Sequence, residues 1–204
     1  MKFLLIIFLF NLLSATQSYP ADSILKNNEL SILKKVGLFP IQVWQRVSYN
    51  SNLFNCQFYP SCSNYGALAI KEHGIIKGSI ITSDRIMRCN PFAIKYHIEL
   101  DRPFTYKDGR LIDPLNQKIV NTSKKSPLIA ASLSSIIPGL GRVYSGRIGD
   151  GILGFLTFYM IGGSAILAIE NKQPFVGPLL GILEVYLYFG EIYGAWRTAK
   201  YYPK

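Results

Sequence analysis

At 204 residues the chain has room for one domain or two small ones. A hydrophobic share of 49% and a charged share of only 17% argue against an ordinary soluble domain. A net charge of +10 on so apolar a chain points to a membrane protein with cationic surfaces more than to a nucleic-acid binder.

The N-terminus, MKFLLIIFLFNLLSATQSYP, has one lysine, an apolar run from Phe3 to Leu13, and then small polar residues. That run is too short to cross about 30 Å of hydrocarbon comfortably. It fits the apolar region of a signal peptide with cleavage near Ala15 or Ser18, an uncleaved anchor being the alternative reading of residues 1–19. Residues 22–36 place Ile24, Leu25, Ile32, Leu33 and Val36 on one side of a helix, with Gly37 and Pro40 expected to break it. Such a basic amphipathic helix either lies on a membrane surface or packs on its own domain. IQVWQRVS follows as another short helix or turn.

In 56-CQFYPSCSNYGALAIKEHG-74, Pro60 and Ser61 form a helix start and Gly74 a stop. A second helix over 75–89 carries Ile76, Ile80 and Met87 roughly on one side and Lys77, Arg85 and Arg88 as its charge. The two make an α-hairpin, ended by Cys89-Asn90-Pro91. Residues 93–126 read as a polar connector, with a β-hairpin expected around the Asp108-Gly109 turn of FTYKDGRLI.

The composition changes at Lys124-Lys125-Ser126-Pro127. Segment 128–141, broken by Pro138-Gly139, reads as an interfacial or re-entrant helix. Segments 151–169 and 174–196 are long enough to cross a bilayer and form a hairpin with both ends on one side. Those ends carry Arg142, Arg147, Arg197, Lys200 and Lys204, so the positive-inside bias directs them to the cytoplasm. The fold class is an all-α membrane protein: a segment over 1–19, a helical domain over 20–92, the connector over 93–126 and a membrane module over 127–204.

Among candidate sites, Cys56, Cys62 and Cys89 are separated by five and twenty-six residues. Structural zinc usually takes cysteine pairs two to four residues apart and four ligands, so this spacing argues against a metal. A disulfide leaves one thiol over, and nothing in the spacing selects a histidine for a catalytic thiol. The first-ranked reading is cysteines acting as small hydrophobes that lock the hairpin. The glycine-rich run 138–151 lacks a phosphate-loop ending, so its glycines, with Gly177-xxx-Gly181 and Gly190-xxx-Gly194, are expected to let helices approach closely. Glu184 and Glu191 lie seven apart on one face of the last span, where a carboxylate is usually paired or functional. Arg142 and Arg147 are candidate partners. Helix tilt is expected to bring Glu191 to the interface, and Glu184 is open between the two readings. Lys34, Lys35, Arg46, Lys71, Lys77, Arg85 and Arg88 are read as able to line one basic face, suited to lipid headgroups or an acidic protein rather than RNA.

Residues 41–92 carry a Cys-x-Phe-x-Pro-x-Cys-Ser-x-Tyr run, a helix pair with Gly-x-x-x-Gly and an Arg-x-x-x-Cys-x-Pro ending. Cys56, Phe58, Pro60, Cys62, Ser63, Tyr65, Ala69, Ile70, Gly74, Lys77, Gly78, Arg85, Cys89 and Pro91 fall on this pattern, which resembles the membrane protein insertion efficiency factor (YidD) family. The resemblance implies a small helical, non-enzymatic protein peripheral to the bacterial inner membrane that assists insertion of membrane proteins beside the Sec translocon and insertase. It implies no cofactor, metal, nucleic acid or small-molecule substrate. Two features depart from the family: AIKYHIELDRPF replaces its usual Pro-Gly-rich tail, and the N-terminus looks exported. Export would make a Cys56–Cys62 or Cys62–Cys89 disulfide credible. Separately, Pro138, Gly139, Gly141, Tyr144 and Gly146, with the two spans, resemble bacterial two-helix membrane modules bearing a Pro-Gly-x-Gly-x-x-Tyr-x-Gly motif. A thiol-redox or structural envelope protein on the same scaffold is the alternative function.

Overall fold

In the computed structural model, residues 18–49, 56–116 and 124–202 are described; the apolar run at 3–13 and the candidate cleavage point at Ala15 lie outside them. Helix α1 (Pro20–Leu25) starts on Pro20, whose fixed φ suits a first helical position, and the Asp22 carboxylate accepts from the Tyr19 N–H at 3.0 Å. The single helix expected over 22–36 is divided. Asn27 accepts from the Glu29 N–H at 2.9 Å, a local turn that competes with helix, and Leu30 turns into the core. Helix α2 (Ile32–Ser48) then runs straight through Gly37 and Pro40. Pro40 lies on the outer face, where water can serve the Val36 carbonyl it leaves unpaired. Gly37 is fixed by packing: a Cβ there would stand 2.6 Å from Ile75 Cγ1. The expected apolar face is also split. Ile24, Leu30 and Leu38 pack with Ala21, Ala67 and Ile70, while Ile32, Leu33 and Val36 are 80%, 72% and 62% exposed.

The α-hairpin forms as read. Ser61 caps α3 (Cys62–His73) by accepting from the Asn64 N–H at 3.4 Å. Gly74, at φ +83°, turns the chain into α4 (Ile75–Met87). A Cβ on Gly78 would stand 2.6 Å from Ile70 Cα, so the two backbones touch there.

The connector is more ordered than its polarity suggested. It holds α5 (Ala93–Glu99). The expected β-hairpin reduces to one antiparallel bridge, Phe104 to Leu111, and a Thr105 N–H to Arg110 carbonyl bond of 2.8 Å. Its second arm, β2 (Leu111–Ile112), instead pairs parallel with β1 (Phe58–Tyr59), burying Leu111 beside Phe58.

Ser126 and Pro127 open α6 (Pro127–Ile136), and Pro138-Gly139 turns it into α7 (Leu140–Tyr144). Helices α8 (Ile148–Glu170) and α9 (Val176–Tyr201) are long and apolar enough to cross a membrane. At 1.5 Å per residue they reach about 35 and 39 Å. Ile152, Phe155, Leu156, Met160, Leu179, Ile182 and Val185 face outward, as lipid-facing residues do. The protein is thus an all-α membrane protein. The two halves of α9 differ. Beyond Phe189 it is enclosed: Gly190, Glu191, Gly194, Ala195, Thr198 and Ala199 are buried. A Cβ on Gly190 would stand 2.0 Å from Ser83 Oγ, so α4 lies directly on α9. The α3–α4 hairpin therefore sits on the same side as the free ends of α8 and α9.

Candidate functional site

Where α4, α7, α8 and α9 meet, the core is ionic. Arg142, fully buried on α7, donates from Nε to both Glu191 oxygens at 2.9 and 2.8 Å and from a terminal nitrogen to Asp84 Oδ1 at 2.9 Å. Its other terminal nitrogen lies 3.9 Å from Asp150. Asp84 also accepts from Arg88 Nε at 3.0 Å, and Arg88 bonds Asp113 at 2.7 Å. Asp113 is held further by Arg85 and, at 3.2 Å, by Arg102, while Arg197 approaches both Asp84 and Asp113. Arg147 pairs with Asp150, whose second oxygen accepts from Asn90 at 2.7 Å. Four carboxylates thus knit six guanidinium groups drawn from both halves of the chain. A buried charge is tolerable only when paired and hydrogen-bonded, so the network fixes how the α3–α4 hairpin sits on the membrane helices.

Three sequence expectations are corrected here. Arg46, Arg85 and Arg88 do not line a basic face: all three are buried, Arg46 against Asp22 at 3.2 Å. Lys71 and Lys77 stay exposed and Lys34 and Lys35 are half-buried. Glu191 does not reach the interface; it is 2% exposed. Glycines make the space: a Cβ on Gly194 would stand 1.9 Å from the Arg142 guanidinium, and one on Gly154 would stand 3.2 Å from Glu191. Glu184, by contrast, has no hydrogen-bond partner on either oxygen among the described residues and faces Gly162 of α8. Of the other glycine pair, Gly177 abuts Ile169 whereas Gly181 faces open space.

Both of the central aspartates are held ionised. Burial pushes the Asp84 carboxyl up, but Arg88, Arg142 and Arg197 outweigh it and hold the group well below the usual carboxylate range. Asp113 is depressed likewise, burial being outweighed by Arg88, Arg85, Arg197 and Arg102. A carboxylate depressed in the folded state adds stability that is complete above its unfolded pKa of about 3.9 and is lost as pH falls below it. Melting temperature in detergent is therefore expected to drop steeply below about pH 4, after a shallower loss that begins at about pH 6.5 because burial holds the His97 imidazole below its ordinary pKa. A transition complete above about pH 5 would assign the acid unfolding to groups other than the aspartates.

The motif residues surround a second feature. Arg85 stacks its guanidinium 3.8 Å from the Phe58 ring centre and 4.7 Å from that of Tyr65, and donates to the Pro60 carbonyl at 3.2 Å. Ser63 accepts from Gln45 at 3.4 Å, and Pro91 is exposed just ahead of α5. This shell brings together the three cysteines, all of them free thiols. Their sulfurs lie within 4.8 Å of one another, Cys56 and Cys62 at 3.4 Å, and they pack against Phe58, Ala93 and Leu111. The hydrogen bond between Cys56 and Cys62 holds the Cys56 thiol far below its ordinary value and pushes Cys62 up.

The three cysteines line a groove of about 880 Å³. Ile41, Trp44 and Tyr49, Ile70, Ser79 and Ile86 of the α-hairpin, and Leu183 and Tyr186 of the membrane helix α9 line it with them. In the membrane module, Pro138 and Gly139 make the α6–α7 turn and Gly141 lies against the Ala130 carbonyl. The Tyr144 hydroxyl accepts from the Ser126 N–H at 3.4 Å, and Gly146, at φ +93°, leads into α8.

A family model described as "Putative membrane protein insertion efficiency factor" (YidD) matches residues 33–97, from α2 through most of α5. A protein of the same description from Oleidesulfovibrio alaskensis is 48% identical over 63 residues, 30% of this chain and 71% of that protein. Another, from Thermoanaerobacter pseudethanolicus, is 43% identical over 60 residues, 29% of this chain and 87% of its own. The chain belongs to the membrane protein insertion efficiency factor family. No solved structure matches it. In this chain the family segment supplies the cysteines, most of the groove and Asp84, Arg85 and Arg88; the remainder supplies Asp113, Arg142, Asp150 and Glu191. The resemblance read over 41–92 is borne out. Of the network, the sequence offered Arg142 as a candidate partner for Glu191, and the structure pairs them; the rest was missed. Its local traces were acids near arginines at helical spacing, Asp84 with Arg88 and Arg147 with Asp150.

Proposed function

We propose that this protein is a non-enzymatic accessory factor that assists insertion of proteins into the bacterial inner membrane, from the cytoplasmic face and beside the Sec translocon or the insertase. The groove is the observation that carries this reading, because its walls belong to both halves: Trp44 and Tyr49 from the family segment, Leu183 and Tyr186 from a membrane helix. An apolar client segment lying there keeps one side on the protein and presents the other to lipid. Taking a helix about 10 Å across, 880 Å³ accommodates about two turns. The exposed row Ile32, Leu33, Val36 and Phe39 on α2 suits the membrane surface beside it, with lipids as the second partner.

Site-specific photocrosslinking tests the proposal. A photoreactive residue at position 79 or 44 is expected to capture a nascent membrane protein during synthesis, while one at the exposed position 107 does not. The groove-filling variant Ser79→Trp is expected to slow insertion without lowering the amount of the factor. Crosslinks confined to lipid, with normal insertion in Ser79→Trp cells, would overturn the client role.

A further inference from the structure

We propose that Cys56, Cys62 and Cys89 form a three-thiolate site for one thiophilic d10 metal ion, Zn2+ or Cu+. The geometry carries the assignment. Metal–sulfur bonds of about 2.3 Å place sulfurs about 3.8 Å apart around a tetrahedral ion and about 4.0 Å apart around a trigonal one. Here the three sulfurs all lie within 4.8 Å of one another and the nearest pair is at 3.4 Å, so small side-chain movements seat them on one ion.

The surroundings suit anionic sulfur. The Cys62 backbone N–H donates to Cys56 Sγ at 3.3 Å, and the Gln57 amide donates to Cys89 Sγ at 3.8 Å while anchored on the Asn90 carbonyl at 2.9 Å. Outer hydrogen bonds of this kind orient ligands and stabilise thiolates. Among the described residues no histidine, aspartate or glutamate joins the cluster. Cu+ is satisfied by three thiolates, whereas Zn2+ completes its shell with a water or an outside donor. That fourth position can be reached because the thiols line the groove. Binding displaces one proton from each thiol that is still protonated and oxidises nothing.

The cysteine spacing does not reveal this cluster, for a structural reason. Local cysteine pairs report a knuckle formed by one turn, whereas this site joins the loop before β1, the first turn of α3 and the residue after the α4 cap.

The test uses the full-length protein in detergent, reduced with a phosphine under nitrogen, with three free thiols confirmed by titration. Zn2+ is offered in competition with a chromophoric chelator and Cu+ in competition with bathocuproine disulfonate. One equivalent per chain is expected for at least one ion. Cys62→Ser and Cys89→Ser are each expected to weaken it at least tenfold, and Gln57→Leu about 10- to 100-fold. Circular dichroism confirms that each variant is folded; should a serine variant unfold, Gln57→Leu, which keeps all three sulfurs, decides the matter. Preference for one chelator competition over the other identifies the ion. No uptake of either ion by the reduced chain, or uptake unchanged in the folded variants, would overturn the site. Because this assay involves no insertion, it can fail while the client proposal stands, and the reverse.

Discussion

Arg142→Met is expected to lower the unfolding free energy by about 3–5 kcal/mol, because it leaves carboxylates buried without their cation. Arg142 is the common partner of Glu191 and Asp84 and lies near Asp150, and no other cation among the described residues bonds Glu191. Burying apolar volume in its place offsets only part of that cost while the acids remain. The double variant Arg142→Met/Glu191→Leu is therefore expected to be more stable than Arg142→Met alone, which is the sign of a direct coupling. Arg142→Lys keeps the charge but cannot span Glu191 and Asp84 together, so its loss is intermediate. Denaturant unfolding in detergent, followed by the fluorescence of Trp44 and Trp196, reads all three. A loss below about 1 kcal/mol for Arg142→Met would mean that water already relieves these charges.

Gly139→Val is expected to destabilise by about 2–5 kcal/mol, and it separates two causes. Gly139 sits at φ +90°, where an L-residue is strained by about 1–2 kcal/mol and a β-branched one more. A Cβ there would also stand 2.0 Å from the Gly151 carbonyl oxygen and 3.1 Å from the Phe155 nitrogen, so α7 and α8 would have to separate, at a typical overpacking cost of about 1–3 kcal/mol. Gly109→Val is the control: its φ is +65° in a turn, but nothing lies within 4 Å of the added atom. It is expected to show the strain alone. Equal losses at the two positions, measured by the same unfolding, would mean that the contact with Gly151 has no energetic weight.

Segments whose structure follows from local physics were legible. The α3–α4 hairpin follows from Ser61 as a cap and Gly74 as a turn. The two long helices follow from hydropathy sustained over more than 18 residues. Helix α2 was less legible, since a proline and a glycine that normally end a helix are accommodated by an open outer face and by close contact with Ile75. The fate of the charges was legible only in part: Arg142 stood out as a candidate partner for Glu191, while the partners of Arg85 and the burial of Arg88 did not. Arg85 meets Asp113 across 28 positions, Arg142 meets Glu191 across 49 and Asp84 across 58. Nothing near Arg85 or Arg88 in sequence announces that Asp113 is waiting to bury them, so a solvated basic face was the natural expectation.

The sequence by itself determined that the chain carries a helical hairpin with a specific family pattern and two apolar helices able to cross a membrane, because helical period, capping and hydropathy act over a few residues. Only the tertiary structure decided that the two parts share a core, which arginines lie inside it, and that three cysteines distant in sequence meet in the lining of a groove. Those outcomes depend on pairing across long separations, where the cost of burying a charge or a glycine-tight contact is set by a partner the local sequence does not contain.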